Sequence, residues 1–349
     1  MTETTLTFRS GDVTLAGTLT VPAGQGPFPA VLLIPGSGPV DRDSNHKRMR
    51  LDITRQLADA LLEAGVATLR YDKRGIGASG GRWRAAGFAD NADDARAALA
   101  TLADRPETDR SRLVIAGHSE GALLATIVAA GNDQLAGVVL LSGSATPGEQ
   151  LLRWQASRIA PTLPRAVRVV LRLLRTDLEQ KVAKNHARIK ATSTDEARID
   201  GATINARWHR EFMAYDPRPD LARISVPVLA LTGSKDIQVK PSDLDVIADL
   251  VPAPVETRLV PDVSHILRPQ PGPATLRTYR SDVRRPLDPR VTRHVVQWVA
   301  AAVQPGGRAP DNDTTAAEAP SSSSGGAPTG LTTAAAHRGW RGPDRRAPG

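Results

Sequence analysis

The sequence predicts an α/β fold, a mostly parallel sheet with helices on both faces. Short apolar runs alternate with stretches of helical length along most of the chain. Apolar runs that lack polar alternation are typical of strands buried on both faces, as in parallel sheets. Because a parallel connection needs a crossover, alternating strands and helices favour a sheet that is covered on both sides.

The N-terminal run 13–21 alternates apolar and polar residues, which predicts an antiparallel strand paired with another near residues 6–9. Further strands are predicted at 30–34, 66–71, 113–116, 138–141, 226–231 and 256–260. Helices are predicted at 49–64, 88–103, 122–130 and 291–303.

The alternation of strands and helices is interrupted between Ser144 and Val226, where the sequence predicts no strand. We predict three helices there, at 151–159, 164–189 and 195–215. An insertion in a parallel sheet is expected over the carboxyl edge of the strands, as a helical cap. The predicted domains are therefore a first core part (1–146), the cap (147–222) and a second core part (223–303). Residues 304–349, rich in Pro, Gly, Ser, Ala and Thr, are predicted to be a disordered tail.

Charge and composition exclude several functional classes. The chain has 45 Lys and Arg against 37 Asp and Glu, but residues 151–215 alone have 13 against 6. Four arginines of the longest cap helix fall on one face: Arg165, Arg168, Arg172 and Arg175. We interpret this face as solvated, with a surface for a membrane or an acidic ligand as the alternative. With no reading motif and few aromatic residues, we expect no nucleic-acid partner.

The chain has no cysteine, so disulfides and thiolate metal sites are excluded. The N-terminus lacks the charge and apolar pattern of a leader, and no apolar run is long enough to cross a bilayer. We therefore expect a cytoplasmic protein without stable membrane insertion. The oligomeric state stays open, with a homodimer among the alternatives.

The segment Gly117-His118-Ser119-Glu120-Gly121 joins a predicted strand to a predicted helix. A serine in such a turn has a strained backbone and an exposed hydroxyl, and glycine on each side tolerates the crowding. This pattern predicts Ser119 as a nucleophile. An ordinary glycine-rich turn is the alternative interpretation.

A serine nucleophile needs a base to take its proton and an acid to orient that base. Asp236 follows the strand predicted at 226–231, and His265 follows the strand predicted at 256–260, so their order after the serine fits. Asp243 and Asp262 remain alternative acids. The developing oxyanion needs two backbone N–H donors, which we assign to Glu120 and to Ser37 in the loop after the strand 30–34.

Four strings together carry a resemblance: 34–43 (IPGSGPVDRD), 69–79 (LRYDKRGIGAS), 117–121 (GHSEG) and 232–239 (TGSKDIQV). They are similar to bacterial α/β-hydrolase serine carboxylesterases of the EstD type, a family related to dienelactone hydrolases. The resemblance covers about residues 5–303 and implies a capped serine esterase acting on small ester molecules with short to medium acyl chains, without a cofactor. Ser44 and Ser264 depart from the family, which commonly has glycine and asparagine there.

Other functions stay open at this stage. The same triad serves thioesterases, amidases and acyltransferases. Gly75, Gly77 and Gly80 match a dinucleotide-binding pattern, although no helix is predicted to begin directly after them. A binding protein with an inactive hydrolase fold is a third class. Asp41 and Asp43 lack further ligands at metal-binding spacing, so we expect no metal.

Overall fold

The computed structural model describes residues 1–162 and 178–304. The strands in these ranges are β1 (Thr2–Ser10), β2 (Val13–Val21), β3 (Phe28–Ile34), β4 (Asn45–His46), β5 (Met49–Arg50), β6 (Ala67–Tyr71), β7 (Thr108–His118), β8 (Gly137–Leu141), β9 (Glu196–Ile199), β10 (Ala202–Asn205), β11 (Val228–Gly233) and β12 (Val255–Val260). The helices are α1 (Ile53–Glu63), α2 (Phe88–Ala103), α3 (Glu120–Ala129), α4 (Gly148–Ile159), α5 (Leu178–Lys190), α6 (Ala206–Ala214), α7 (Arg218–Leu221), α8 (Asp243–Leu250), α9 (Tyr279–Asp282) and α10 (Pro289–Ala302). Short 3-10 turns occur at Trp83–Ala85 and Ala160–Thr162.

The main sheet has eight strands in the order β1-β2-β6-β3-β7-β8-β11-β12. The first two strands pair antiparallel, and β2 is antiparallel to β6. All later neighbours, from β6 to β12, are parallel. The predicted fold class is therefore confirmed, including the antiparallel pair at the N-terminus.

Central strand β3 shows why the sheet is covered on both sides. Its residues 30–34 are at most 1% exposed. Leu32 and Ile34 belong to a core shared with α2 and α3, whereas Val31 and Leu33 belong to a second core shared with α1 and α10. Because side chains alternate along a strand, a continuous apolar run supplies both cores.

The chain between β8 and β11 forms an insertion, and the prediction that it is all-helical is wrong. Strands β9 and β10 form a hairpin where a helix over 195–215 was predicted, and helix α6 begins only at Ala206. The turn between these strands is Asp200-Gly201, with φ of 48° and 82°. Positive φ at both turn residues is what an Asp-Gly hairpin requires, so this dipeptide was the missed signal. The bounds 147–222 for a cap stay a prediction.

The helix predicted at 49–64 also begins later, at Ile53. Met49–Arg50 pairs with Asn45–His46 instead, and the Asn45 side chain accepts a hydrogen bond from the Asp52 backbone N–H at 3.0 Å. Asp52 has φ of 48°, which ends any helical run before it.

Two other predictions concern residues that lie outside the described ranges, except for Gln304 at the start of the tail. They are the arginine-bearing face of the cap helix and the disordered tail.

Candidate active site

Ser119 occupies the turn between β7 and α3, with φ of 57° and ψ of −118°. Neither flanking glycine has room for a side chain. A Cβ on Gly117 would lie 2.0 Å from the carbonyl oxygen of Gly121, and a Cβ on Gly121 would lie 2.2 Å from that of Ile34. The strained turn is thus packed directly against the end of β3, while the Ser119 side chain stays partly accessible.

Ser119, His265 and Asp236 form one hydrogen-bonded chain. The Ser119 Oγ lies 3.0 Å from His265 Nε2, and His265 Nδ1 lies 2.8 Å from Asp236 Oδ2. The histidine and the aspartate are 4% and 3% exposed. The structure therefore brings together the three residues predicted as nucleophile, base and acid, although they are far apart in sequence.

Both oxygens of the Asp236 carboxylate take part in hydrogen bonds. Its Oδ1 accepts hydrogen bonds from the backbone N–H groups of Gln238 and Val239, at 2.8 and 3.0 Å. Burial by itself raises the pKa of Asp236, but attraction and hydrogen bonding to His265 and these two amides bring the net pKa below its ordinary value. An ionised Asp236 accepts the Nδ1 proton of His265, which leaves Nε2 free to accept the proton of Ser119.

The two alternative acids make other contacts. Asp243 accepts hydrogen bonds from the side chains of Ser144 and Thr146, at 2.6 and 3.0 Å, and from the backbone of the same loop. Asp262 pairs with Lys235 at 2.7 Å and has a side chain that is 69% exposed. Neither contacts His265, so the geometry favours Asp236.

The two predicted oxyanion donors lie beside Ser119. Gly36 is so close that a Cβ on it would be 3.5 Å from the Ser119 Cβ, and Ser37 lines the cavity that contains Ser119. Within the described part of the chain, no group accepts a hydrogen bond from the backbone N–H of Ser37 or of Glu120. Both donors are therefore available to a ligand oxygen.

His118, predicted only as part of the turn, contacts the loop of the candidate base. Its Nε2 lies 2.8 Å from the carbonyl oxygen of His265, and the two rings are 5.0 Å apart. Burial, and then repulsion from His265, lowers the pKa of His118 to about 3. A neutral His118 donates its Nε2 proton to that carbonyl and so holds the backbone of His265.

Two cavities adjoin the turn, and both include Ser37. The first, of about 420 Å³, contains Ser119 and His265 with apolar walls that include Leu51 and Leu276. The second, of about 340 Å³, contains a buried ion pair between Lys73 Nζ and Glu120 Oε2 at 3.1 Å. These volumes lie toward the lower end of the range for small-molecule sites, roughly 300–1,000 Å³.

Most of the polar residues of the second cavity were not assigned to a site from the sequence: Lys73, Asn91, Thr203, Asn205, Trp208 and His209. Lys73 follows the carboxyl end of β6, the edge of a parallel sheet where ligand sites form, and that position was the available signal. Trp208 carried no such signal, because only packing of the insertion brings it to Glu120.

The remaining predicted motifs have structural contacts. Asp41 Oδ1 accepts the backbone N–H of Asn45 at 2.8 Å, and Asp43 pairs with Arg70. Among the residues with described placement, no group of three or more His, Asp or Glu side chains is arranged to hold a metal ion.

The glycine loop 75–80 leads to a 3-10 turn and not to a helix N-terminus, and a Cβ on Gly77 would lie 2.3 Å from the Asp72 carboxylate. That loop therefore lacks the helix that a dinucleotide phosphate site requires. Nor does any helix in the described ranges combine the length and apolar character needed to cross a bilayer.

Comparison with known proteins agrees with this geometry. The chain is 26% identical over 302 residues to Esterase EstD of Thermotoga maritima, a match that covers 84% of this chain and 68% of the relative. The predicted resemblance to EstD-type proteins is therefore confirmed.

Solved structures share the fold at low sequence identity. Est1E from Butyrivibrio proteoclasticus, solved with ferulic acid bound, superposes with a TM-score of 0.56 at 18% identity, over 84% of this chain and 99% of Est1E. The α/β hydrolase GrgF from Penicillium sp. sh18 gives a TM-score of 0.58 at 18% identity, covering 87% and 99% of the two chains. The proline iminopeptidase of Mycobacterium smegmatis gives a TM-score of 0.57 at 16% identity, covering 86% and 98% of the two chains.

Residues 50–268, more than half of the chain, match the family Hydrolase_4, described as serine aminopeptidase, S33. The fold, the family match and the relative agree: this chain is an α/β hydrolase and belongs to the Hydrolase_4 family.

Proposed function

We propose that this protein is a serine hydrolase that cleaves carboxylic esters of short to medium acyl chain length through an acyl-enzyme intermediate. The observation that carries the proposal is the hydrogen-bonded chain from Ser119 through His265 to Asp236. A serine hydroxyl at 3.0 Å from an imidazole nitrogen, with that imidazole oriented by a buried carboxylate, is the arrangement that nucleophilic acyl transfer needs.

In the first half of the reaction, Ser119 Oγ attacks the ester carbonyl while His265 Nε2 takes the hydroxyl proton. Negative charge develops on the carbonyl oxygen, where the Ser37 and Glu120 N–H groups stabilise it. The C–O bond to the alcohol then breaks, and His265 returns its proton to the leaving oxygen. Asp236 stays ionised and stabilises the imidazolium throughout.

In the second half, a water molecule attacks the acyl-enzyme carbonyl, with His265 again taking a proton. The tetrahedral intermediate collapses, the bond between the carbonyl carbon and Ser119 Oγ breaks, and His265 returns its proton to Ser119 Oγ. The carboxylic acid leaves, and the free hydroxyl of Ser119 is regenerated. Each bond made and broken is accounted for by these groups and water, so the mechanism uses no cofactor.

The preference for esters over other acyl substrates is supported by the relative EstD, an esterase that aligns with 84% of this chain. Thioester, amide and acyl-transfer chemistry use the same three groups, and the family description includes peptidases. The modest size of both cavities supports small-molecule substrates with short or medium chains. We further propose that residues 147–222 act as a cap that limits the substrate.

A direct test compares one acyl group presented as a p-nitrophenyl ester, a thioester and an anilide, in water and with added alcohol. We expect the highest kcat/KM for the ester and loss of at least about 10⁴-fold in Ser119→Ala. Ser111→Ala is the matched control, because Ser111 is exposed and lies on β7, the strand that leads to Ser119; this variant should match wild type. A fluorophosphonate probe should label wild type at Ser119 only. Ester hydrolysis that persists in Ser119→Ala would show that the assigned nucleophile is wrong.

A further inference from the structure

The second cavity, next to the candidate nucleophile, contains a buried polar cluster that the proposed mechanism does not use. The side chains of Lys73 and Glu120 are 4% and 1% exposed, and their ion pair spans 3.1 Å. Two further donors reach Glu120 Oε1: Asn91 Nδ2 at 2.8 Å and Trp208 Nε1 at 3.1 Å. Glu120 is thus bonded by three donors from three separate parts of the chain.

Lys73, in contrast, has unused hydrogen-bonding capacity. Its ammonium group has three N–H donors, and within the described residues Glu120 is its only side-chain partner. Burial of unpaired donors costs free energy, so a buried lysine that faces a cavity favours an acceptor in that cavity. This imbalance indicates that the cavity binds a molecule with a hydrogen-bond acceptor.

The positions of His265 and the oxyanion donors indicate which part of an ester enters each cavity. His265 returns its proton to the leaving oxygen, so the alcohol lies on the His265 side, in the first cavity. The second cavity contains neither Ser119 nor His265, but both oxyanion-donor residues, Ser37 and Glu120, line it. The acyl group, on the other side of the same carbonyl carbon, therefore extends into the second cavity.

The charge of the cluster limits the acceptor to an uncharged group. Lys73 and Glu120 already neutralise each other, and a carboxylate beside them would need a second cation. His209 also lines this cavity, but burial, and then repulsion from His186, lowers its pKa, so it is neutral at neutral pH and does not supply that cation. Transfer of an unpaired charge into such a site is strongly unfavourable.

From this geometry we infer that the second cavity is the acyl subsite and that Lys73 donates a hydrogen bond to an uncharged oxygen on the acyl chain, such as a hydroxyl, ether or carbonyl oxygen. The inference rests on the proposed function, because it assigns the two parts of an ester to two cavities. It defines the preferred substrates as esters of oxygen-substituted acids and not of plain alkanoic acids.

The test uses pairs of p-nitrophenyl esters that differ by one atom. Each alkanoate from butyrate to octanoate is paired with esters in which one methylene group of the acyl chain, from C3 outward, is replaced by an ether oxygen, one position at a time. The value of kcat/KM is divided by the rate constant for hydroxide hydrolysis, which removes differences in intrinsic reactivity. In wild type we expect about a tenfold preference for the ether ester at one position, the worth of one hydrogen bond.

The double variant Lys73→Met/Glu120→Gln should abolish that preference. Methionine fills similar space without donors, and glutamine keeps an acceptor for Asn91 and Trp208 while leaving no unpaired buried charge. The preference is a ratio within one variant, so a general loss of activity does not affect it. Wild type without a preference at any position, or a double variant that keeps it, would overturn the role of Lys73.

A second pair of variants tests the cavity assignment without changing the cluster. Ile204→Trp narrows the second cavity and should lower kcat/KM for longer acyl chains by about tenfold, with little dependence on the alcohol. Leu276→Trp narrows the first cavity and should discriminate against longer alcohols. The reverse pattern would overturn the assignment. Absence of turnover of every ester by wild type would instead contradict the proposed function, and this inference with it.

Discussion

Replacement of Asp236 by asparagine isolates the role of one carboxylate in the candidate site. Asparagine has nearly the same shape, but one of its two terminal groups donates instead of accepting. The orientation of its amide follows from the structure. Two backbone N–H groups, of Gln238 and Val239, point to Oδ1 at 2.8 and 3.0 Å, so the amide oxygen must occupy that position.

The amide nitrogen of the introduced asparagine would then take the place of Oδ2 and face His265 Nδ1 at about 2.8 Å. It would donate to Nδ1, and the single proton of the neutral ring would have to reside on Nε2. A protonated Nε2 cannot accept the proton of Ser119, so the base is lost. In serine hydrolases with this triad, the wrong tautomer lowers kcat by about 10⁴-fold, equivalent to about 5.4 kcal/mol of barrier.

The assay is p-nitrophenyl butyrate hydrolysis at neutral pH, with circular dichroism and urea unfolding to verify that the variant is folded. Asp262→Asn is the matched control, because the Asp262 side chain is mostly exposed and forms an ion pair with Lys235. We expect that control to remain within about twofold of wild type, since exposed ion pairs contribute little. A folded Asp236→Asn variant with more than about a tenth of wild-type activity would refute the reasoning.

Three further changes test the packing around the site. Gly121→Ala should lower the unfolding free energy by about 3 kcal/mol or more, measured in urea, because the added Cβ would lie 2.2 Å from the carbonyl oxygen that ends β3. In wild type, the unfolding free energy should fall at acid pH because of His118, and His118→Gln should lack this fall. The unfolded chain protonates this histidine below pH 6.5, whereas the folded protein does so only near pH 3, so wild-type stability is lost as pH falls through this window. The difference in unfolding free energy between wild type and variant should therefore change by up to about 5 kcal/mol across it. Lys73→Met should cost about 3–5 kcal/mol, because it leaves Glu120 buried without its cation.

Two of these changes, Gly121→Ala and Lys73→Met, have a control variant in the same chain. Gly11→Ala adds a Cβ with no atom within 4 Å, so it should show only the roughly 1 kcal/mol cost of a left-handed backbone. Arg82→Met breaks an ion pair whose arginine is 76% exposed and should cost less than about 1 kcal/mol. Equal costs for Gly121 and Gly11, or for Lys73 and Arg82, would contradict the packing argument. Identical pH profiles for wild type and His118→Gln would contradict a neutral buried His118.

The sequence by itself was sufficient for the fold class and for the strand-to-helix turn at Ser119. Both depend on local patterns: apolar runs of strand length, helical stretches between them, and two glycines around Ser119. The strain at Ser119 and the contact between Gly117 and Gly121 arise within a few residues, so spacing alone predicts them. The contact of Gly121 with Ile34 joins distant parts of the chain and depends on the sheet. The hairpin of β9 and β10 was also local, but its Asp200-Gly201 turn was overlooked.

Only the tertiary structure decided which carboxylate faces His265, because Asp236, Asp243 and Asp262 all follow the serine and precede the histidine in an acceptable order. Side-chain direction selects among them, and that depends on how β11, β12 and their loops pack. The formation of the cluster around Lys73 and Glu120 likewise depends on tertiary packing. Its members come from the loop after β6, from α2, from α3 and from the insertion. Only the packing of these parts buries the ion pair, and no single stretch of sequence specifies that burial.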